Sequence, residues 1–323
     1  MAETKELKTK IEKAIVETSK IIVGKDYQLR LLFASILCGG HILFDDLPGT
    51  GKTTLVKTVS KVLGCKASRV QFTPDLLPSD IVGMNVFDQK ISDFKMKQGP
   101  VMTNLFLADE INRAIPRTQS ALLEAMEELQ VTVDGETWAL PKPFIVLATQ
   151  NPVEMESTFN LPTAQMDRFT MKITLGYPEH DDEINMLKIV GDNIPFDIIE
   201  PIFSPDELIE MQEEITKVFI DDKLLDYMVS IANATRDSSL VSLPCSPRGS
   251  RALYRATKAW AVMNDRDYVI PQDVKDLAPY ILSHRIVASN EATVENMTQE
   301  EIIQRIISDI KLPYDEEELI GAK

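Results

Sequence analysis

The stretch HILFDDLPGTGKTTLVKTVSKVL, residues 41–63, limits the folds open to this chain more than any other. HILFDD is a short apolar run ending in two acids, which predicts a strand over 41–46. TTLVKTVSKVL sets Leu55, Val56, Val59 and Leu63 on one face, which predicts a helix over 53–63. A strand, a Gly-rich turn and a helix in that order is the opening unit of a parallel α/β sheet. It is also the context that a phosphate-binding loop requires. Gly49 and Gly51 would let the backbone turn its amides inward, and the helix N-terminus adds positive potential. Lys52 would offer a mobile cation to terminal phosphates, and Thr53 a hydroxyl to Mg²⁺. One residue departs from the pattern G-x-x-x-x-G-K-[ST]: its first glycine is Asp46 here. A strand-end turn with a surface lysine could be spelled in similar letters.

The first half of the chain keeps the same rhythm. SRVQFT (68–73), NLFLADE (104–110), FIVLATQN (144–151) and TMKITL (170–175) read as further strands. Their apolar runs suit a sheet covered on both faces. Two inserts interrupt it. Segment 79–100 alternates weakly, and QVTVDGETWALP (130–141) has Asp134-Gly135 between two alternating runs, a hairpin signature. After LGYPEHDD the texture becomes helical, with almost no strand signal. Ser204, Pro205 and Glu207 form a capping box at the head of SPDELIEMQEEI, and SPRGSRALYRATKAWAVM (246–263) opens in a similar way. PQDVKDLAPYIL (271–282) reads as another helix. The change of texture puts a domain boundary near 180–195, giving an α/β domain over 1–190 and a helical domain over 191–323 whose acidic tail is loosely held.

Composition narrows the function. A chain of 323 residues with a formal net charge of −16 repels phosphates at long range, which argues against non-specific nucleic-acid or anionic-membrane binding. Cys38, Cys65 and Cys245 form no CxxC pair and, like the scattered His41, His180 and His284, suggest no metal site. KELKTKIEKAIVETSKII reads as an amphipathic helix and not as a signal peptide, and LLFASILCGGHILF is too short to span a bilayer. The expected setting is cytoplasmic.

Other strand ends supply partners for the loop. Asp109, at the tip of an apolar strand, can hold Mg²⁺ through water, and Glu110 beside it can polarise an attacking water as general base. Asn151 can orient that same water. Lys52, Asp109-Glu110 and Asn151 would meet at the ligand edge of an open sheet. Arg168, before the last sheet strand, and Arg248, in the first turn of a helix, could stabilise charge on a γ-phosphate, in cis or from a neighbouring subunit. Arg248, Arg251, Arg255 and Lys258 recur at near-helical spacing as a basic stripe, read equally well as a solvated helix face.

With these pieces assembled, the sequence resembles the MoxR family of AAA+ ATPases. The resemblance runs from IVGKD through HILFDDLPGTGKTTL, LADEINRA, TQSALLEAMEE, VTVDGE and ATQNP to SPRGSRAL and RDYVIPQDV, nearly all of residues 20–285. It implies an AAA+ P-loop core, a five-stranded parallel sheet between helices, followed by a small all-α lid. It implies ATP or ADP as ligand with Mg²⁺. Pro48, Gly49, Thr50, Gly51, Lys52, Thr53 and Thr54 would form Walker A, and Asp109 and Glu110 Walker B. Asn151 would be sensor 1, Arg168 the arginine finger and Arg248 sensor 2, while Val23-Gly24 would line the adenine pocket. An acid at Asp46 is tolerated among MoxR sequences. The family belongs to the helix-2-insert clade, so 79–100 would be that insert and 130–141 the pre-sensor-1 hairpin. Hexameric rings and chaperone work on partners, often with von Willebrand factor A domains, are implied too. A metal-insertion motor similar to magnesium chelatase, a nucleic-acid motor and a nucleotide-gated scaffold are the competing readings.

Overall fold

Parallel strands need crossover connections, and the first half of the chain alternates strands with helices accordingly. The computed structural model describes residues 2–46, 49–90, 92–151, 158–191 and 193–314, with no side-chain description for 2–4. Its five-stranded parallel sheet comprises β1 (Ile42–Asp45), β2 (Ala67–Gln71), β3 (Leu105–Asp109), β4 (Ile145–Gln150) and β5 (Met171–Ile173), in the order β2-β3-β4-β1-β5. All five residues of β3 are buried, as are the first five of β4, which is why these segments read as unbroken apolar runs. His41 fixes the start of β1. Its Nδ1 accepts from the Val146 amide at 3.0 Å, which leaves Nε2 to donate to the Met126 carbonyl at 3.2 Å.

The strand order sets the place for a ligand. From β1 the chain passes over two strands to reach β2, whereas β4 leads to β5 on the far side of β1. Connections that diverge in this way leave a crevice at the carboxyl ends of the strands. Helix Lys52–Val62 leaves β1 there, with Leu55, Val56 and Val59 buried on one face.

Both inserts are antiparallel hairpins. Gly83–Asp88 pairs with Asp93–Gln98, and Gln130–Val133 with Glu136–Ala139. Asp134 and Gly135 take φ of 50° and 87°, the two positive values that a tight two-residue turn needs. Asn85 of the first hairpin donates to Asp134 of the second at 3.0 Å.

Residues 12–161 and 173–210 form one compact unit, and residues 1–11, 162–172 and 211–323 form the other. The sequence suggested a single change of texture near 180–195. The structure differs over 162–172, which packs with the helices because Arg285 holds it there. That guanidinium donates to Asp167 Oδ1 at 2.8 Å and to the carbonyls of Phe169 and Thr170 at 2.5 and 3.2 Å.

The second unit is helical, with helices Asp222–Asp237, Pro247–Met263, Pro271–Leu282 and Gln299–Asp309 as its main elements. Within this helical lid Val241–Leu243 and Val287–Ala288 also form a short antiparallel pair. Strands this short carry no readable alternation. The capping box before Pro205 forms, with Ser204 N donating to Glu207 at 2.8 Å and Glu207 N to Ser204 Oγ at 3.3 Å. Among the described residues no helix is long and apolar enough to cross a membrane.

Candidate active site

Gly49 and Gly51 have φ of 85° and 81°, in the left-handed region. A Cβ added to either would meet nothing within 4 Å, so glycine is needed for backbone rotation and not for room. Gly51 caps helix Lys52–Val62, and the helix N-terminus opens toward the same space. Pro48, expected in this loop, lies outside the described residues. Lys52 Nζ donates to the Asp46 carbonyl at 3.3 Å and to Thr50 Oγ1 at 3.2 Å. Burial pushes the Lys52 pKa down, and the carboxylates of Asp46, Asp109, Glu110 and Asp45 oppose that shift.

The two acids of β3 are held by different partners. Asp109 Oδ1 accepts from Thr149 Oγ1 at 2.7 Å, and Oδ2 accepts from Arg69 at 2.7 and 3.1 Å. Thr149 also accepts from the Glu110 amide at 2.8 Å. One buried hydroxyl therefore fixes the Asp109 carboxylate and the Glu110 backbone together. Glu110 sits at φ 55°, a left-handed conformation that turns the chain sharply out of the sheet. Its carboxylate accepts from Arg113 at 3.0 Å. Asn151 follows β4 directly and is 6% exposed, and Asn112 donates to its carbonyl at 3.3 Å.

The loop from Gly49 to Thr54, Asp46, Asp109, Glu110, Thr149 and Asn151 line one cleft of about 350 Å³, together with Arg69, Gln71 and Gln150. A lysine, the start of a helix and two carboxylates lining one cleft fit a polyphosphate carrying a divalent cation. The open volume beside Gly49 and Gly51 is the cradle that side chains at those positions would fill. Thr53 and Asp109 both reach this cleft and have the hard oxygen donors that Mg²⁺ favours.

Val23 and Gly24 do not appear among the described residues lining the cleft. Gly24 has φ 70°, and a Cβ there would run into the Asp182 side chain. Arg168 and Arg248 belong to the helical unit. Arg168 is partly buried beside Asp167, and Asp167 accepts from Arg285 at 2.8 Å and from Ser246 at 2.7 Å. Arg248 is exposed in the first turn of helix Pro247–Met263, where its amide donates to the N-cap Ser246 at 3.1 Å. Arg248 and Arg285 share a pocket of about 430 Å³. Of the expected basic stripe, Arg251 and Arg255 are exposed, but Lys258 is buried and donates to the Thr216 carbonyl at 2.7 Å.

Four side chains escaped the sequence reading. Thr149 left a signal, a hydroxyl inside an otherwise buried apolar strand. Arg69 left another, a charge inside SRVQFT. Arg113 left one as well, its place three residues after Glu110, whereas Arg285 left none, because its partners are set by packing.

Comparison with known proteins identifies the family and the fold. Residues 41–171 match the model of the ATPase family associated with various cellular activities (AAA), and residues 233–306 match an AAA lid domain. A crystal structure of a candidate ATPase from Cytophaga hutchinsonii superposes with a TM-score of 0.89 at 40% identity, covering 96% of this chain and 97% of that one. An uncharacterised Bacillus subtilis protein, YeaC, is 45% identical over 97% of this chain and 98% of its own. Chaperone MoxR1 of Mycobacterium tuberculosis is 40% identical over 94% of this chain and 82% of its own. The chain belongs to the MoxR family of AAA+ ATPases. As a MoxR-family member it is an ATPase, and nucleotide binding goes with the family.

Proposed function

We propose that this MoxR-family ATPase uses ATP hydrolysis to remodel or mature a partner protein, as a chaperone in the cytoplasm. The observation that carries the reading is the convergence of Lys52, Asp109, Glu110 and Asn151 on a single cleft. Lys52 would bind the terminal phosphates, and the loop amides from Gly49 to Thr54 would cradle the rest. Mg²⁺, held through Thr53 and Asp109, would supply charge neutralisation to the phosphate oxygens when bound. Glu110 takes the proton of an attacking water, which Asn151 orients. To do so Glu110 must give up its contact with Arg113, which is a cheap rearrangement because the arginine side chain is 42% exposed. Val23 and Gly24 would meet the base. Arg248 is assigned to the nucleotide's phosphates from within the helical unit, and Arg168 to the γ-phosphate of a neighbouring subunit, in a ring of six. A von Willebrand factor A domain protein is the partner class that the family resemblance suggests. The insert at 79–100 and the hairpin at 130–141 complete the proposal.

The Glu110–Arg113 pair also favours a second reading, a nucleotide-gated scaffold whose base is held back until a partner arrives. Steady-state ATP hydrolysis measured over a range of protein concentrations separates the two, with Glu110→Gln as control. Specific activity that rises with concentration and vanishes in Glu110→Gln, while that variant still binds ATP, supports a working shared site. Wild type and variant equally silent, with ATP bound, would overturn it in favour of the scaffold. An Arg168→Ala variant that keeps binding but loses turnover supports the role given to that arginine. Loss of binding as well counts against it.

A further inference from the structure

The residue that breaks the loop pattern has a definite place in the structure. Asp46 stands where the generic loop has a glycine, yet it does not take the positive φ of Gly49 and Gly51. Nothing in its conformation calls for glycine. Its carboxylate is nearly buried, at 4% exposure, and both oxygens are used. Oδ2 accepts from the Leu175 amide at 2.6 Å, and Oδ1 from the Gly176 amide at 3.0 Å. A carboxylate out of water is stable only with such partners, and backbone amides bonded to a charge make stronger bonds than neutral pairs.

The main chain of Asp46 is equally engaged. Its N–H donates to the Gln150 carbonyl at 3.3 Å, next to Asn151. Its carbonyl accepts from Lys52 Nζ at 3.3 Å. One residue thus touches the last residue of β4, the loop lysine and the chain that leaves the sheet after β5. That departing chain continues to Tyr177, whose carbonyl accepts from Lys25 at 2.8 Å, and to Asp182, packed against Gly24.

We propose that Asp46 is a positioning residue for nucleotide, tying the start of the phosphate loop to the departing chain at Leu175 and Gly176. This rests on the reading of the loop as the nucleotide cradle. Asp46 acts through the loop and Lys52 and is not a catalytic residue. The charge alone would oppose the binding of phosphates, since a carboxylate near them repels. The geometry answers that objection: the carboxylate is spent on two amides of another segment. The same anion helps Lys52 to stay protonated in the cleft, where burial works against its charge. Replacing Asp46 with glycine would restore the generic motif and at the same time remove the tie. The motif and the structure therefore make opposite predictions for this substitution.

The test compares wild type with Asp46→Gly, Asp46→Ala and Asp46→Asn. Affinity for a non-hydrolysable ATP analogue is measured in each, with amide hydrogen exchange at 175–176 in the absence of nucleotide. The glycine and alanine variants are expected to bind about tenfold more weakly and to exchange faster at both amides. The asparagine variant keeps one acceptor oxygen, so it should recover most of the affinity and protect one of the two amides. Should the larger substitutions fail to fold, the asparagine variant alone still reads the tie through exchange. Binding by Asp46→Gly as tight as wild type, or unchanged exchange at both amides, would overturn the inference. A wild type that binds no analogue would instead overturn the nucleotide reading of the cleft, with the exchange data still reporting on the tie.

Discussion

Thr149→Val is the most informative single change, because it removes two hydrogen bonds while leaving the shape of the side chain almost intact. Thr149 is 1% exposed, donates to Asp109 at 2.7 Å and accepts from the Glu110 amide at 2.8 Å. The bond to the carboxylate contributes about 1.5–3 kcal/mol, as hydrogen bonds to charged groups do. The Glu110 amide, left without its acceptor, costs roughly a further 1–3 kcal/mol. The methyl that replaces the hydroxyl returns up to about 0.8 kcal/mol through burial. The balance is a loss of about 2–5 kcal/mol, concentrated at the joint between the two acids. Glu110 is held at φ 55°, and this bond is part of what keeps it there. Urea unfolding would read the global loss, and hydrogen exchange at the Glu110 amide the local one, as a fall in protection of one to two orders of magnitude or so. ATP turnover should drop about tenfold or more, with a smaller change in KM, since Lys52 and the loop are untouched. An unchanged urea midpoint together with unchanged protection at Glu110 would refute the argument.

Other outcomes follow from the same structure. Arg285→Met leaves the Asp167 carboxylate without its buried guanidinium, and should destabilise the helical unit by about 3–5 kcal/mol in thermal or urea unfolding. Adding Asp167→Leu to it should recover part of that loss. His284 is fully buried, and burial, with Arg285 next to it, holds its pKa well below 6.5. The unfolded chain takes up a proton there and the folded chain does not. Stability is therefore fully present above about pH 6.5 and is lost below it at about 1.4 kcal/mol per pH unit, a slope that His284→Gln should remove. Gly24→Ala forces a left-handed residue against Asp182, and should cost about 1–2 kcal/mol in unfolding experiments and weaken nucleotide binding.

The chain's local chemistry was enough for much of the architecture. The apolar runs at 41–46, 104–110 and 144–151 became β1, β3 and β4, because a strand buried on both faces must be apolar, whereas β2, with no buried residue, was marked by its short β-prone run SRVQFT. Asp134-Gly135 became a tight turn, because few pairs other than these accept two positive φ values. Ser204, Pro205 and Glu207 started a helix through bonds that span only three residues. The setting of the loop between a strand and a helix was likewise legible, because periodicity marks both elements.

Bonds between distant segments were not legible. Segment 162–172 carries Arg168 and lies close in sequence to the sheet, yet it packs with the helices through Arg285, 118 residues beyond Asp167. Asp46 read as a defect in a motif, and became intelligible once its carboxylate was seen on the amides of Leu175 and Gly176, 129 and 130 residues away. Thr149 looked like one more residue of a buried strand until it was found between Asp109 and Glu110. Local spacing determines which residues turn, cap or alternate, because those interactions close within a few residues. The choice of partner for a buried charge or hydroxyl belongs to the tertiary structure, since it depends on which segments the sheet order and the core bring side by side.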